Sequence, residues 1–165
     1  MPSPYEGLNL TIVPAGEQVP NSVPIFDLKC AERQFKAYQK ADTFDHVVLP
    51  SHLQASEGYF VARVDGDSMN KRIPPGAWCL FHFDPQGTRN GKIVVVNHDH
   101  IEDPELGGHY TIKRCKTEKI VDEKGVVHHV LALKPESTNE KHEAMVLSLQ
   151  ESEELDVVAE LLTVI

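Results

Sequence analysis

The sequence predicts a mainly β protein built from antiparallel sheets with one or two short helices, and two observations carry that reading. From Tyr59 onward the chain repeats runs of strand length, YFVARV, AWCLFHF, KIVVVNH, HYTIKRC, VVHHVLAL and LDVVAELLTVI. They are rich in β-branched and aromatic residues and are separated by Gly, Pro, Asp and Asn. Against them stands one stretch with helical spacing, where Ala31, Phe35 and Tyr38 fall at i, i+4 and i+7.

In chain order, Met1 to Ser22 holds four prolines, with Gly7 and Gly16, around one alternating run, LNLTIV. It reads as an extended N-terminal arm with at most one strand, so the expected division is an arm over 1–22 and a domain over 23–165. VPIFDL (Val23–Leu28) is a strand candidate and Ala31–Ala41 the helix. A polar segment with Pro50 and Gly58 closes the first third. RNGK (Arg89–Lys92) signals a tight turn between AWCLFHF and KIVVVNH. VVAELL in the last run suits helix or strand, and its β-branched end points to a strand.

The 165 residues are 41% hydrophobic and 25% charged, the make-up of one soluble domain able to bury a core. A formal net charge of −9 argues against direct nucleic-acid binding, because phosphate contacts need clustered Lys and Arg. The short basic stretch Lys29–Lys40 fits the solvated face of a helix better. Cys30, Cys79 and Cys115 are widely spaced, which excludes a disulfide framework or a CxxC metal site and fits a reducing compartment. No run approaches the ~18 apolar residues of a membrane span, and the N-terminus lacks a signal-peptide pattern. A cytoplasmic location is expected.

Nine histidines raise the question of a metal. His98 and His100 form an HxH that could share one strand face. Their neighbours Asp99, Glu102 and Asp103 belong to a polar loop without a third ligand at a recognisable spacing, so surface histidines are expected. The adjacent His128 and His129 point to opposite faces of a strand and cannot chelate together. A Gly-rich phosphate loop and a GxSxG elbow are both missing. No metal or cofactor is expected.

Ser68, in VDGDSMNKRIPPGAW, is the remaining candidate. A serine hydroxyl attacks only when a neighbouring base takes its proton. A lysine with an ordinary pKa of about 10.4 is protonated at neutral pH, whereas burial among apolar groups lowers that value and frees the base. HYTIKRC offers Lys113, preceded by Tyr110 and Ile112 and sharing a strand face with Thr111 and Cys115. Lys92 and Lys134 are rivals at the edges of runs.

GDSM, then IPPGAWCLF, RNGKIVVV and YTIKR, in that order, resemble the LexA-like serine peptidase domain of LexA, UmuD and phage repressors. The resemblance covers roughly Val23 to Ile165. It implies a LexA/signal-peptidase-like β fold, Ser68 as nucleophile, Lys113 as general base, and the backbone N–H groups of Asp67 and Ser68 as oxyanion hole. It also implies a homodimer through the C-terminal β region, with LDVVAELLTVI as an exposed strand edge. With only a short arm ahead of the domain, operator binding is not expected. Gly76 is followed by Ala77 and Trp78 where the family usually has Gly-Asp. That wording is similar to a divergent branch attached to helicases or carried in mobile and defence gene clusters, which implies a helicase or another repair or defence protein as partner. The interval from Ser68 to Lys113 exceeds that of LexA, and the polar loop NHDHIEDPELGG accommodates the excess.

Domains of this family typically cut their own chain, in the SOS response among other settings, some three dozen residues before the serine. Here that window reads DLKCAERQF and offers Cys30–Ala31, with Glu32 and Arg33 where small residues are expected. A second bond, Ala15–Gly16 in IVPAGEQVP, lies further upstream. The resemblance thus implies a Ser–Lys peptidase acting on its own arm or on a partner chain. The alternative is a non-cleaving LexA-like dimerisation or interaction module of a larger DNA-repair or defence system, favoured by the missing small-residue cleavage site.

Overall fold

The structure is a computed structural model and describes residues 5–17, 19–25, 27–28, 44–106 and 109–165. Among these, ten strands form: β1 (Ile12–Val13), β2 (Ser22–Pro24), β3 (His46–Val48), β4 (Tyr59–Val64), β5 (Ala77–Phe83), β6 (Ile93–Asn97), β7 (Tyr110–Val121), β8 (Val127–Lys134), β9 (Met145–Ser148) and β10 (Asp156–Val164). One short helix, α1 (Leu149–Glu153), precedes the last strand. The six runs read from the sequence supply β4 to β8 and β10. The protein is mainly β, and the named strands pair antiparallel throughout. The helix expected over Ala31–Ala41 lies outside the described residues.

A seven-stranded sheet runs β4-β5-β10-β6-β7-β8-β9, and a three-stranded sheet runs β1-β3-β2. The last strand is therefore not an edge, as expected from the sequence, but lies between β5 and β6. Ala159 pairs with Phe83 on one side and Val95 on the other, and Val158 and Ala159 are buried. The edges of the large sheet are β4 and β9.

Two elements were hidden in stretches that read as polar. His46–Val48 forms the middle strand of the small sheet, with Val47 fully buried. SLQE caps α1 reciprocally: the Glu151 N–H donates to Ser148 Oγ and the Ser148 N–H donates to Glu151 Oε1, both at 3.1 Å.

Alternation along β4 and β5 makes that part of the sheet apolar on both faces. Phe60, Ala62, Cys79 and Phe81 face one core with Met69, Ile73 and Ile112, whereas Val61, Trp78 and Leu80 face the small sheet. Each fully buried Val, Leu, Ile, Phe or Met among them contributes roughly 1.5–3 kcal/mol. The N-terminal segment supplies part of the second cover. Tyr5, Leu8, Leu10 and Ile12 pack against that cluster, and Trp78 Nε1–H donates to the Glu6 carbonyl at 3.0 Å. The described part of 1–22 is thus docked on β4 and β5, because its apolar residues cover Trp78 and Leu80. A third core lies under β6, β7 and β8, around Val94, Cys115, Leu133 and Leu147. Among the described residues, no helix is long and apolar enough to cross a membrane.

Candidate active site

The turn that follows β4 carries Ser68. Gly66 takes φ 88°, a left-handed conformation that costs other residues strain, and lets the chain reverse just after the strand. Met69 and Ile73, 2% and 1% exposed, then pin the turn into the first core. The N–H groups of Arg72 and Ile73 both donate to the Met69 carbonyl, and Gly76 N–H returns to the Val64 carbonyl at 2.7 Å. SM and RIPPG are therefore anchoring residues around a buried serine, itself 5% exposed.

The polar stretch after β8 braces this turn from the other side. Glu136 N–H donates to the Ser68 carbonyl at 3.1 Å, and Ser137 Oγ–H to the Asp67 carbonyl at 2.6 Å. Asn139 Nδ2–H and His142 Nε2–H donate to the two Asp67 carboxylate oxygens at 3.2 and 2.6 Å. Those bonds hold the Asp67 carboxyl below its usual range, His142 most of all. The Glu136 carboxylate joins Arg72 and Arg114. Sequence reading passed over this segment; its signal was a Ser/Thr/Asn/Glu cluster directly behind a strand-ending proline.

Lys113 reaches the serine from β7. Strand alternation puts Ile112 into the first core and turns Thr111, Lys113 and Cys115 to the opposite face, where Lys113 is 9% exposed. Its Nζ lies 3.3 Å from Ser68 Oγ, 2.7 Å from Thr111 Oγ1, 3.0 Å from the Ile112 carbonyl and 3.5 Å from Asp103 Oδ2. Burial pulls the lysine pKa below its usual value, while Asp103 and Glu105 push against that fall without cancelling it. Burial pushes the Asp103 carboxyl up, but the Thr111 hydroxyl and the Lys113 charge outweigh it and leave the group below its usual range. The rival lysines are elsewhere: Lys92 pairs with Glu160 and Lys134 with Glu118.

Of the two backbone donors expected to form the oxyanion hole, the Asp67 N–H donates to Glu105 Oε2 at 2.6 Å. Glu105 Oε1 is also 3.2 Å from His142 Nε2. Asp67, Glu105 and His142 thus bring ligand atoms within 4.8 Å of one another, a set able to hold a cation although each is engaged with the others. An open groove of about 440 Å³ lies beside Lys113, lined by these residues with Asp103, Lys141 and Met145.

The histidines divide differently from the expectation. His98 is not on the surface but 3% exposed. Its Nε2–H donates to the Glu151 carbonyl at 3.1 Å and its Nδ1 accepts the His100 N–H at 3.0 Å, so it ties the β6 end to α1. His100 is exposed, as are His128, which pairs with Asp122, and His129. Neither pair belongs to the group of converging ligand atoms found among the described residues, Asp67, Glu105 and His142.

Cys30–Ala31 lies outside the described residues. Ala15–Gly16 sits in an exposed turn after β1, with Ala15 N–H donating to Asp45 Oδ1 at 3.1 Å. The small sheet beside it packs on Val61, Trp78 and Leu80 of β4 and β5, and neither Ala15 nor Gly16 is among the residues lining the groove beside Lys113.

A family model described as Peptidase S24-like matches residues 24–161. No curated protein matches the chain.

Proposed function

The chain belongs to the Peptidase S24-like family, and from that premise we propose a serine peptidase that works through a Ser68–Lys113 dyad. The observation that carries this reading is the buried Lys113 Nζ at 3.3 Å from Ser68 Oγ. In the neutral form, Nζ accepts the Ser68 proton as Oγ attacks a peptide carbonyl carbon. The resulting oxyanion needs N–H donors beside the nucleophile, which Asp67 and Ser68 supply from the backbone. The C–N bond then breaks, the Lys113 ammonium returns its proton to the leaving amine, and an acyl ester remains on Ser68. Water, deprotonated by Lys113, hydrolyses that ester and restores the hydroxyl. No step requires a metal or a cofactor.

The substrate is a peptide segment of this chain or of a partner chain. Incubating the purified protein alone and with candidate partners, followed by mass spectrometry, tests the reading. Cleavage that disappears in Ser68→Ala supports it; equal cleavage by that variant overturns it. One observation favours the alternative of a non-cleaving interaction module: Glu32 and Arg33 follow Cys30–Ala31 where small residues are expected, and neither Ala15 nor Gly16 lines the groove beside Lys113. Complete absence of cleavage from neutral to strongly alkaline pH, with partners present, selects that alternative.

A further inference from the structure

We propose that the loop Ile101–Leu106 is a built-in plug of this site, in which Glu105 occupies the oxyanion-binding N–H of Asp67 while Asp103 holds Lys113 in its charged form. The inference rests on the Ser68–Lys113 reading and adds its regulation.

The first contact concerns the oxyanion. When Ser68 Oγ attacks a carbonyl, negative charge develops on an oxygen that must meet N–H donors close to the nucleophile. The Ser68 N–H has no acceptor among the described residues, whereas the Asp67 N–H is held by Glu105 Oε2 at 2.6 Å. A carboxylate oxygen is the same kind of acceptor as the oxyanion, so the two compete for one donor. The fit is close: a Cβ built on Gly66 would lie 1.4 Å from Glu105 Oε2 and 2.4 Å from its Cδ. The bare backbone at Gly66 is what lets this carboxylate close on the turn.

The second contact concerns the base and is independent of the first. Lys113 Nζ gives its hydrogens to Thr111, Ile112 and Ser68, the pattern of an ammonium with three donors. Asp103 Oδ2 faces it at 3.5 Å and accepts the Thr111 hydroxyl at 2.5 Å. A protonated lysine cannot take the Ser68 proton, and Asp103 stabilises that protonated form.

The two acids act as one unit. Glu105 N–H donates to Asp103 Oδ1 at 2.9 Å within the same turn. Ile101 and Leu106, 1% and 5% exposed, anchor the ends of the loop in two different cores. His142 holds Glu105 from the opposite wall. One short loop therefore blocks both halves of the machinery, and its withdrawal frees both.

The test is the rate at which a fluorophosphonate labels Ser68, read by intact mass. In that reaction Ser68 Oγ bonds to phosphorus, fluoride leaves, Lys113 takes the hydroxyl proton, and the phosphonyl oxygen needs the same N–H donors. Glu105→Ala is expected to label at least about tenfold faster than the wild type, since one oxyanion donor is worth ~10²–10³ in rate. Glu105→Gln, which keeps an acceptor but loses the charge, is expected to fall between them and serves if the alanine variant fails to fold. Labelling of the wild type with no acceleration in a folded Glu105 variant overturns the plug and leaves the dyad standing. Labelling of neither protein at any pH up to about 10 overturns the dyad, and the plug with it.

Discussion

Lys113 Nζ lies 3.3 Å from Ser68 Oγ across a separation of 45 positions, with both residues buried. The contact joins the turn after β4 to the middle of the sheet at β7. Its expected consequences are testable separately from one another.

Ser68→Ala and Lys113→Ala are each expected to reduce Ser68-dependent chemistry by ~10³-fold or more, and the double variant to be no worse than either alone. Stability should divide the two. Ser68→Ala removes little packing, whereas Lys113→Ala leaves the Asp103 carboxylate without its cation and costs about 1–3 kcal/mol. Urea denaturation of both variants checks this.

The pH profile of cleavage or labelling should rise as Lys113 loses its proton, and level off above its folded pKa. Burial sets that pKa below the ordinary 10.5, so the rise moves toward neutrality. Stability follows with the same sign. Between the folded and unfolded pKa values the unfolded chain binds more protons, so stability increases with pH there. Below the folded pKa both states are charged and this contribution is flat. Asp103→Asn removes a group that pushes the lysine pKa up, and is expected to shift the activity rise to lower pH. A rise centred near ~6.5 that survives Lys113→Ala would mean a histidine base instead.

Met69→Ala is expected to cost about 2–5 kcal/mol, the range for emptying a buried site of this size. The Met69 side chain also packs under the nucleophile turn, and its Sδ accepts the Glu136 N–H at 3.3 Å. Its loss should slow labelling of Ser68 even where the variant is fully folded, measured at low temperature and without denaturant.

His98 and His100 should separate cleanly. His98→Ala leaves the Glu151 carbonyl and the His100 N–H without their partner and is expected to cost about 1–3 kcal/mol. His100→Ala, at an exposed ring, should stay within about 0.5 kcal/mol. Equal effects in thermal melts would show that the pair acts as a unit.

We propose that a homodimer pairs through β9 rather than through the last strand. That strand is an edge of the large sheet and exposes Val146, beside exposed Leu149. Light scattering at tens of micromolar should give a dimer mass, and Val146→Lys a monomer. A monomeric wild type would remove the dimer.

Local pattern made the six long strands legible, because period-two alternation and turn residues act within a few positions. It also offered Lys113, a lysine amid apolar strand residues, while Ser68 stood out through four motifs in order rather than through the GDSM turn alone. The same local logic placed Thr111 beside Lys113. It could not place Asp103, Glu105 or His142, which lie in polar stretches indistinguishable from surface loops. Their roles exist only where the loop after β6 and the segment after β8 converge on one turn.

His98 and β10 show the same limit. Whether a histidine is solvated or buried depends on α1 arriving from Glu151, a contact between residues 53 positions apart. Whether LDVVAELLTVI is an edge depends on which strands flank it, and its own composition is the same either way. By itself the sequence determined the six long strands and singled out Ser68 and Lys113 as candidates. Tertiary structure alone decided which strand was left unpaired, which acids met the lysine, and which carboxylate reached the Asp67 N–H, because each of these depends on long-range packing rather than on neighbours in the chain.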